Sequence, residues 1–426
     1  MRIRRFEWEG ARETAEAVRV WAASGPRDAY DAVRKIGREI EEERDVALRR
    51  LTENLDGVTE MPETLQVDSS EAVRALRAID PTLRNAMEVA AANIQAVAEA
   101  QVSNDVQVVR LAQDQTVVIR EVPVANVGVY APGGRAVYPS SVLMCAIPAR
   151  VAGVETVALA SPPAPNGRIS DTVLAAAALC GIHEIYAMGG AQAIYALTYG
   201  TETVVPVDVI AGPGNVWVQE AKRAVMGIVG IDSYAGPSEL MLIAGHDTNA
   251  EWAALDLCAQ AEHGPESRLI VTAVEEHILE AISAATEKVA ATRSSVSDAP
   301  LALVQVPDLS DAVNFANAVA PEHLELLEED AVLQAGRIRT AGCVFAGRYG
   351  ATAFGDYVAG SNHVLPTTKT GRFSGPLGPH VFRRKIATVE VTAEAAAKLA
   401  PHVDRIARAE GFPVHGESAM IRAKGS

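Results

Sequence analysis

From residue 124 onward, short runs of aliphatic and β-branched residues alternate with Ala-rich stretches of helical periodicity, and this alternation constrains the fold more than any other feature. Runs at 126–130, 154–160, 184–188 and 207–210 precede helical stretches starting near residues 140, 171, 191 and 216. The pattern restarts at 240–244, 268–272 and 301–306, with helices predicted at 248–263, 275–291 and 308–319, and it closes on the run 343–346. Short strands separated by helices of about 10–15 residues argue for βαβ units and parallel sheets. We therefore expect an α/β protein with two adjacent, Rossmann-like but incomplete parallel-sheet domains of similar design. No identity repeat is visible, although an old duplication would produce such a pattern.

The region before this alternation reads mainly as helix. Stretches 28–55 and 69–100 place apolar residues three and four apart between charges. Residues 106–111 and 116–122 then alternate like paired strands around Gln113, Asp114 and Gln115. After Gly375 we expect a short helical tail, too small to bury its own core, that docks on another domain or subunit. The predicted organisation is an N-terminal segment 1–25; a larger, discontinuous α/β domain of 26–125 plus 236–375; a second, nucleotide-binding α/β domain of 126–235; and a tail, 376–426.

Composition narrows the function. The chain has 426 residues, with 38 Lys plus Arg against 54 Asp plus Glu and a formal charge of −16. No basic block is present to neutralise phosphates, which argues against nucleic acid as a ligand. The longest apolar region, 142–160, is interrupted by Pro148, Arg150 and Glu155, and no run reaches the roughly 18 residues of a membrane span. The opening residues lack the apolar core of a signal peptide. Cys145, Cys180, Cys258 and Cys343 form no CxxC pair, and we expect reduced thiols in a cytoplasmic protein.

Four Gly- and Pro-rich loops follow predicted strands: APGG at 131–134, MGGAQ at 188–192, AGPGN at 211–215 and AGPSE at 235–239. Ligands of open parallel sheets bind outside the carboxyl ends of the strands, so these loops are expected to line one crevice; tight turns alone would use the same residues. Gly212-Pro213-Gly214 lacks the third glycine of the GxGxxG dinucleotide fingerprint, and no P-loop is present.

Several polar groups could carry chemistry. Gln260 and His263 lie three apart before Gly264-Pro265, a helix-ending pair, so they would share one face and could bind one metal ion. His263 could equally interact with the last carbonyls of its helix. Glu322 and His323, at a helix end before an apolar run, combine a carboxylate with an imidazole that titrates near neutrality. Neighbours in sequence usually point apart, and an exposed polar turn is the alternative. Asp356 could supply a hard oxygen ligand or simply an Asx turn, and His363 could contact substrate. Glu410 and His415 stand in the tail, where nothing local marks them.

The segments GVYAPGGRAVYPSSVLM (128–144), MGGAQAI (188–194), AGPGN (211–215), DSYAGPSEL (232–240), AQAEHGPES (259–267), APEHLEL (320–326) and GDYVAGSNHVLPT (355–367) together resemble the histidinol dehydrogenase family. The likeness is strong from about residue 120 and rests only on helical character before that. It implies an enzyme that uses zinc and NAD to oxidise L-histidinol through L-histidinaldehyde to L-histidine. It further implies zinc ligands at Gln260, His263, Asp356 and His415, an acid/base pair at Glu322 and His323, and NAD contacts at Tyr130, Gln192 and Asn215. Ser238, His363 and Glu410 would join these ligands and His323 around the substrate. A homodimer is implied in which tail residues complete the partner's site.

Two departures stand out. Cys145 occupies a position where the family usually has Asn, and 367–382 differs from the usual run around Arg372, Phe373, Pro376 and Leu377. Rival readings are a relative oxidising another small primary alcohol, such as a sulfonated propanediol, and a non-catalytic metabolite-binding protein on the same scaffold.

Overall fold

In the computed structural model, which describes residues 1–23, 29–103, 105–133 and 136–424, the alternation takes the form of two parallel sheets. The predicted helix start at residue 28, the first domain boundary at 25/26, and residues 134 and 135 of the 128–144 segment lie outside the described residues. The chain divides into one unit of Met1–Gln101 with Ala125–Val381 and a second of Val102–Val124 with Phe382–Ser426.

Both parallel sheets belong to the first unit. The larger contains β1 (Arg2–Phe6), β9 (Glu239–Ile243), β10 (Arg268–Ala273), β11 (Pro300–Gln305), β12 (His323–Leu326) and β13 (Cys343–Ala346), in the order β1-β11-β10-β9-β12-β13. The smaller contains β4 (Asn126–Tyr130), β5 (Thr156–Ser161), β6 (Glu184–Ala187), β7 (Val209–Ala211) and β8 (Gly230–Ile231), in the order β6-β5-β4-β7-β8. Counted from its own first strand, the smaller sheet runs 3-2-1-4-5, and so does the larger once β1 is set aside. This is the strand order of a Rossmann-type half extended by two strands, with a topological switch between strands 1 and 4.

Helices α1 (Ala11–Ala22), α9 (Ala250–Ala261), α10 (Glu276–Ala291), α11 (Leu309–Val319), α12 (Glu329–Val332) and α13 (Thr352–Tyr357) accompany the larger sheet. Strand alternation sorts its core into two faces. Leu240, Leu242, Val271 and Leu303 pack with α9 and α10 on one face. Met241, Ile243, Ala302, Leu324 and Leu326 pack with α1 and α11 on the other. The smaller sheet carries α5 (Pro139–Val151), α6 (Asp171–Leu179), α7 (Gly190–Tyr199) and α8 (Val216–Val225). The N-terminal helices α2 (Ala29–Leu55), α3 (Ser69–Ala78) and α4 (Pro81–Glu99) form an outer layer, α2 on α7 and α8, α3 on α6, and α4 on α5. Thus α5 and α7 are enclosed on both sides, which explains why their sequences are apolar all round.

In the second unit, β2 (Gln107–Arg110), β3 (Thr116–Pro123) and β14 (Arg383–Glu390) form an antiparallel sheet in the order β14-β3-β2, followed by α14 (Ala393–Ala409) and α15 (Pro413–Lys424). The tail therefore contains a strand, Arg383–Glu390, among its helices, where only helix was expected. Three other strands were also unexpected. β1 is an Arg-rich edge strand and β8 has only two residues, so neither shows an apolar run. β12 alternates charged with apolar residues yet is buried at all four positions. Two helix boundaries need similar correction. α9 stops at Ala261, two residues before its predicted end. α2 breaks at Arg44 (φ 52°), where the guanidinium leaves the helical path to donate to the carbonyls of Tyr199 and Gly200 at the end of α7, at 3.0 and 2.9 Å.

Candidate active site

The four Gly/Pro-rich loops leave the carboxyl ends of β4, β6, β7 and β8 in the smaller sheet. The loop at 235–239 then enters β9, so it connects that edge with the amino end of the larger sheet. Glu322 and His323 lie at this amino end, immediately before and at the start of β12, beside β9. A segment after α13 joins the two regions: Asn362 Nδ2 donates to the Met144 carbonyl of α5 at 2.6 Å, and His363 Nε2 lies 3.4 Å from Ser141 Oγ.

The two backbone groups of one residue organise the Glu322–His323 pair. The Glu239 N–H donates to Glu322 Oε2 at 2.8 Å, and His323 Nδ1 lies 3.1 Å from the Glu239 carbonyl. Because a carbonyl only accepts, Nδ1 carries a proton and Nε2 is the basic nitrogen of neutral His323. The two side chains converge, with Glu322 Oε2 3.5 Å from His323 Nδ1. Sequence adjacency does not separate them, since both dock on Glu239. His323 Nε2 lies 3.6 Å from Asp356 Oδ1 and has no hydrogen-bond partner, although the ring is buried. Burial opposes a charge on His323, but the Glu322 and Asp356 carboxylates outweigh it and raise the imidazole well above its ordinary range; a cation held by Asp356 would offset its share of that pull and free Nε2 to act as a base.

Asp356 sits in the last turn of α13. Burial would raise its carboxyl, but His323, together with the charges of His363 and His263, holds it below the ordinary range. His363 Nδ1 donates to the Asp356 carbonyl at 2.8 Å, and burial lowers that imidazole. Gln260 is buried in the last turn of α9, and its Nε2 has no partner. His263 is exposed just beyond the helix. Ser238 is half-buried before β9. The tail residues belong to the second unit: Glu410 caps α14, and His415 lies in the first turn of α15, its ring 5.5 Å from that of Phe412.

Gln260, His263 and Asp356 offer the nitrogen and oxygen donors that suit zinc. Asp356 offers an ionised carboxylate, and Gln260, whose amide nitrogen has no partner, offers its amide oxygen, a donor set that suits a cation. Among the described residues, the His/Cys/Asp/Glu group of three or more with ligand atoms within 4.8 Å of one another is His246, Asp247 and Glu328, beyond the carboxyl ends of β9 and β12.

At the carboxyl edge of the smaller sheet, the Tyr130 hydroxyl accepts the Gly190 N–H at 3.1 Å. Gln192 Nε2 donates to Asp56 Oδ2 at 3.1 Å, the Gly189 N–H reaches the same oxygen at 3.0 Å, and Gln192 Oε1 is unpartnered. Asn215 Oδ1 caps α8 through the N–H groups of Trp217 and Val218. Beneath the 211–215 loop, the buried Lys222 ammonium pairs with Asp232 and donates to the Gly212 carbonyl at 2.9 Å. Asp56, Lys222, Asp232 and Glu239 were not singled out from the sequence. Each is an ordinary charged residue on its own element, and only tertiary pairing distinguishes it.

Two Rossmann-type sheets, with a buried imidazole–carboxylate pair at the edge of one and glycine-rich loops at the edge of the other, define the class as an α/β enzyme with general acid–base groups. Residues 22–423 match the family model described as Histidinol dehydrogenase. The histidinol dehydrogenase of Burkholderia mallei is 41% identical over 440 residues, covering 100% of this chain and 98% of that protein. That of Nitrosospira multiformis is 41% identical over 400 residues, covering 92% and 90%. The crystal structure of histidinol dehydrogenase from Elizabethkingia anophelis superposes with a TM-score of 0.91 at 31% identity, covering 100% of this chain and 98% of that one. This chain belongs to the histidinol dehydrogenase family, and it is an oxidoreductase.

Proposed function

We propose that the protein oxidises L-histidinol through L-histidinaldehyde to L-histidine, reducing two NAD and closing histidine biosynthesis in the cytoplasm. The observation that carries this reading is the buried, unpartnered His323 Nε2, fixed as the base by the Glu239 carbonyl and flanked by Glu322 and Asp356. Gln260, His263 and Asp356 would hold zinc together with His415, and the ion when bound supplies Lewis-acid anchoring of the substrate's amine and imidazole nitrogens. Ser238, His363 and Glu410 would complete the substrate contacts, while Tyr130, Gln192 and Asn215 would place NAD at the switch-point edge of the smaller sheet.

With the carbinol carbon held beside the nicotinamide, His323 Nε2 takes the hydroxyl proton as hydride leaves. In the second oxidation, Glu322 takes a proton from water as it adds to the aldehyde while His323 returns its proton to the aldehyde oxygen, giving the gem-diol; His323, neutral again, then takes a hydroxyl proton from the gem-diol as the second hydride leaves. None of these steps needs a thiol. Cys145, Cys180 and Cys258 are buried, and burial raises all three thiols. We further propose a homodimer in which Glu410 and His415 of one protomer complete the site of its partner.

The test is to incubate purified protein with zinc, NAD and L-histidinol, following NADH absorbance and product. Two NADH per histidine is the expected result. Turnover of only a sulfonated diol, or of no alcohol, overturns the proposal.

A further inference from the structure

Strand β12 presents His323 and Glu325 on the face packed by α9, and Leu324 and Leu326 on the opposite face. Glu325 is fully buried. Its Oε1 accepts both the backbone N–H and the hydroxyl of Thr352, the first residue of α13, at 2.8 and 2.7 Å. Its other oxygen meets no N–H or hydroxyl donor. Asp256 of α9, one helical turn before Gln260, is the acid that interacts with Glu325. Two neighbouring buried carboxyls avoid mutual repulsion only when one carries a proton, and burial raises both of these acids.

One interior carboxyl therefore touches all three elements of the proposed centre within this unit. Thr352 lies one turn before Asp356 on α13, Asp256 one turn before Gln260 on α9, and Glu325 two residues after His323 on the same strand face. We propose that Glu325 is a positioning residue that, through Thr352 and Asp256, holds Asp356 and Gln260 in register with His323. This rests on reading Gln260 and Asp356 as ligands and His323 as the base. Glu325 itself touches neither substrate nor ion. Groups that orient ligands in this way typically change metal affinity about 10–100-fold when lost.

The experiment is zinc titration of the full-length apo protein against a competing fluorescent chelator, with kcat and KM for the zinc-loaded protein and melting temperature alongside. Glu325→Leu removes the acceptor for Thr352 and the link to Asp256; we expect zinc binding to weaken about 10–100-fold and kcat to fall more than KM rises. Glu325→Gln keeps the acceptor oxygen, and its amide N–H stands in for the carboxyl proton, so it should recover zinc affinity to within about threefold by the same hydrogen-bond argument. Wild-type zinc affinity and kcat in Glu325→Leu, with only the melting temperature lowered, would overturn the proposal, as would a Gln variant as impaired as Leu. If Glu325→Leu does not fold, Thr352→Val removes one of the two bonds to Oε1, and an unchanged zinc affinity there also overturns it. Asp356→Ala in the same titration separates the underlying reading. Its loss of zinc supports the centre itself, and wild-type binding by Asp356→Ala overturns both readings together.

Discussion

His323 is held on one side by the Glu239 carbonyl and left without a partner on the other, although the whole ring is buried. An unsatisfied buried polar atom costs about 1–3 kcal/mol, so its retention at a strand end needs a compensating role. Accepting a substrate proton is such a role. Replacing His323 with Asn should therefore lower kcat about 10²–10⁴-fold, the range for loss of a general base. Bound zinc should stay near one per subunit, because the substitution removes no proposed ligand. Stopped-flow NADH formation and metal analysis of the same preparation check both halves; loss of zinc would reassign His323 as a ligand. Residue types at this site were legible in short motifs such as APEHLEL, but their convergence was not. Glu322 and His323 meet because one binds the backbone N–H and the other the carbonyl of Glu239, a residue 84 positions from His323, and no local spacing encodes that contact.

At the scale of elements, the strands with apolar runs and the helices between them were readable, since burial on both faces demands continuous apolar sequence. β1 and β14 were not, because their side chains are mostly charged or exposed. β12 was hidden for a different reason: His323 and Glu325 occupy inward positions that normally hold Val or Leu, so chemistry replaced the signal of the strand. The loop at 211–215 shows the same dependence on distant partners. Lys222 and Asp232 are both buried beneath it, and Asp232 Oδ2 also accepts the Gly212 N–H at 2.8 Å. Lys222→Met would leave the Asp232 carboxylate buried and unpaired. Breaking one side of such a pair costs about 3–5 kcal/mol, so the midpoint of urea unfolding should fall markedly. The double variant Lys222→Met/Asp232→Leu should regain much of that loss, because no isolated charge remains. A single variant as stable as the wild type would show that the ion pair does not stabilise the loop.

Over the whole molecule, the duplicated 3-2-1-4-5 order brings the carboxyl edge of one sheet and the amino edge of the other onto a common set of loops. Several acids are consequently interior rather than on the surface, and burial raises them: Asp56 to about 6 and Glu239 to about 7, with Asp256 and Glu325 moved in the same direction. An acid raised in the folded state contributes stability that is fully present below its unfolded value, near 4, and lost as pH rises through its folded value. Raised His323 acts in the same sense, from its unfolded value near 6.5 upward. Asp356, held low, acts oppositely, but its contribution is already complete well below neutrality. The chelated apo protein should therefore be more stable near pH 5.5 than near pH 8, as measured by urea unfolding from about pH 4 to 8. Asp56 offers the cleanest control, because its carboxylate accepts from Gly189 and Gln192 and the dominant cause of its shift is burial rather than a charged neighbour. Asp56→Asn removes a group that must ionise inside the fold between about pH 4 and 6, so it should flatten the acid side of this slope. An unchanged slope in Asp56→Asn would mean that Asp56 titrates as it does in the unfolded chain. The formal charge of −16 does not foretell this behaviour, because the acids that govern it are a few in buried or half-buried positions.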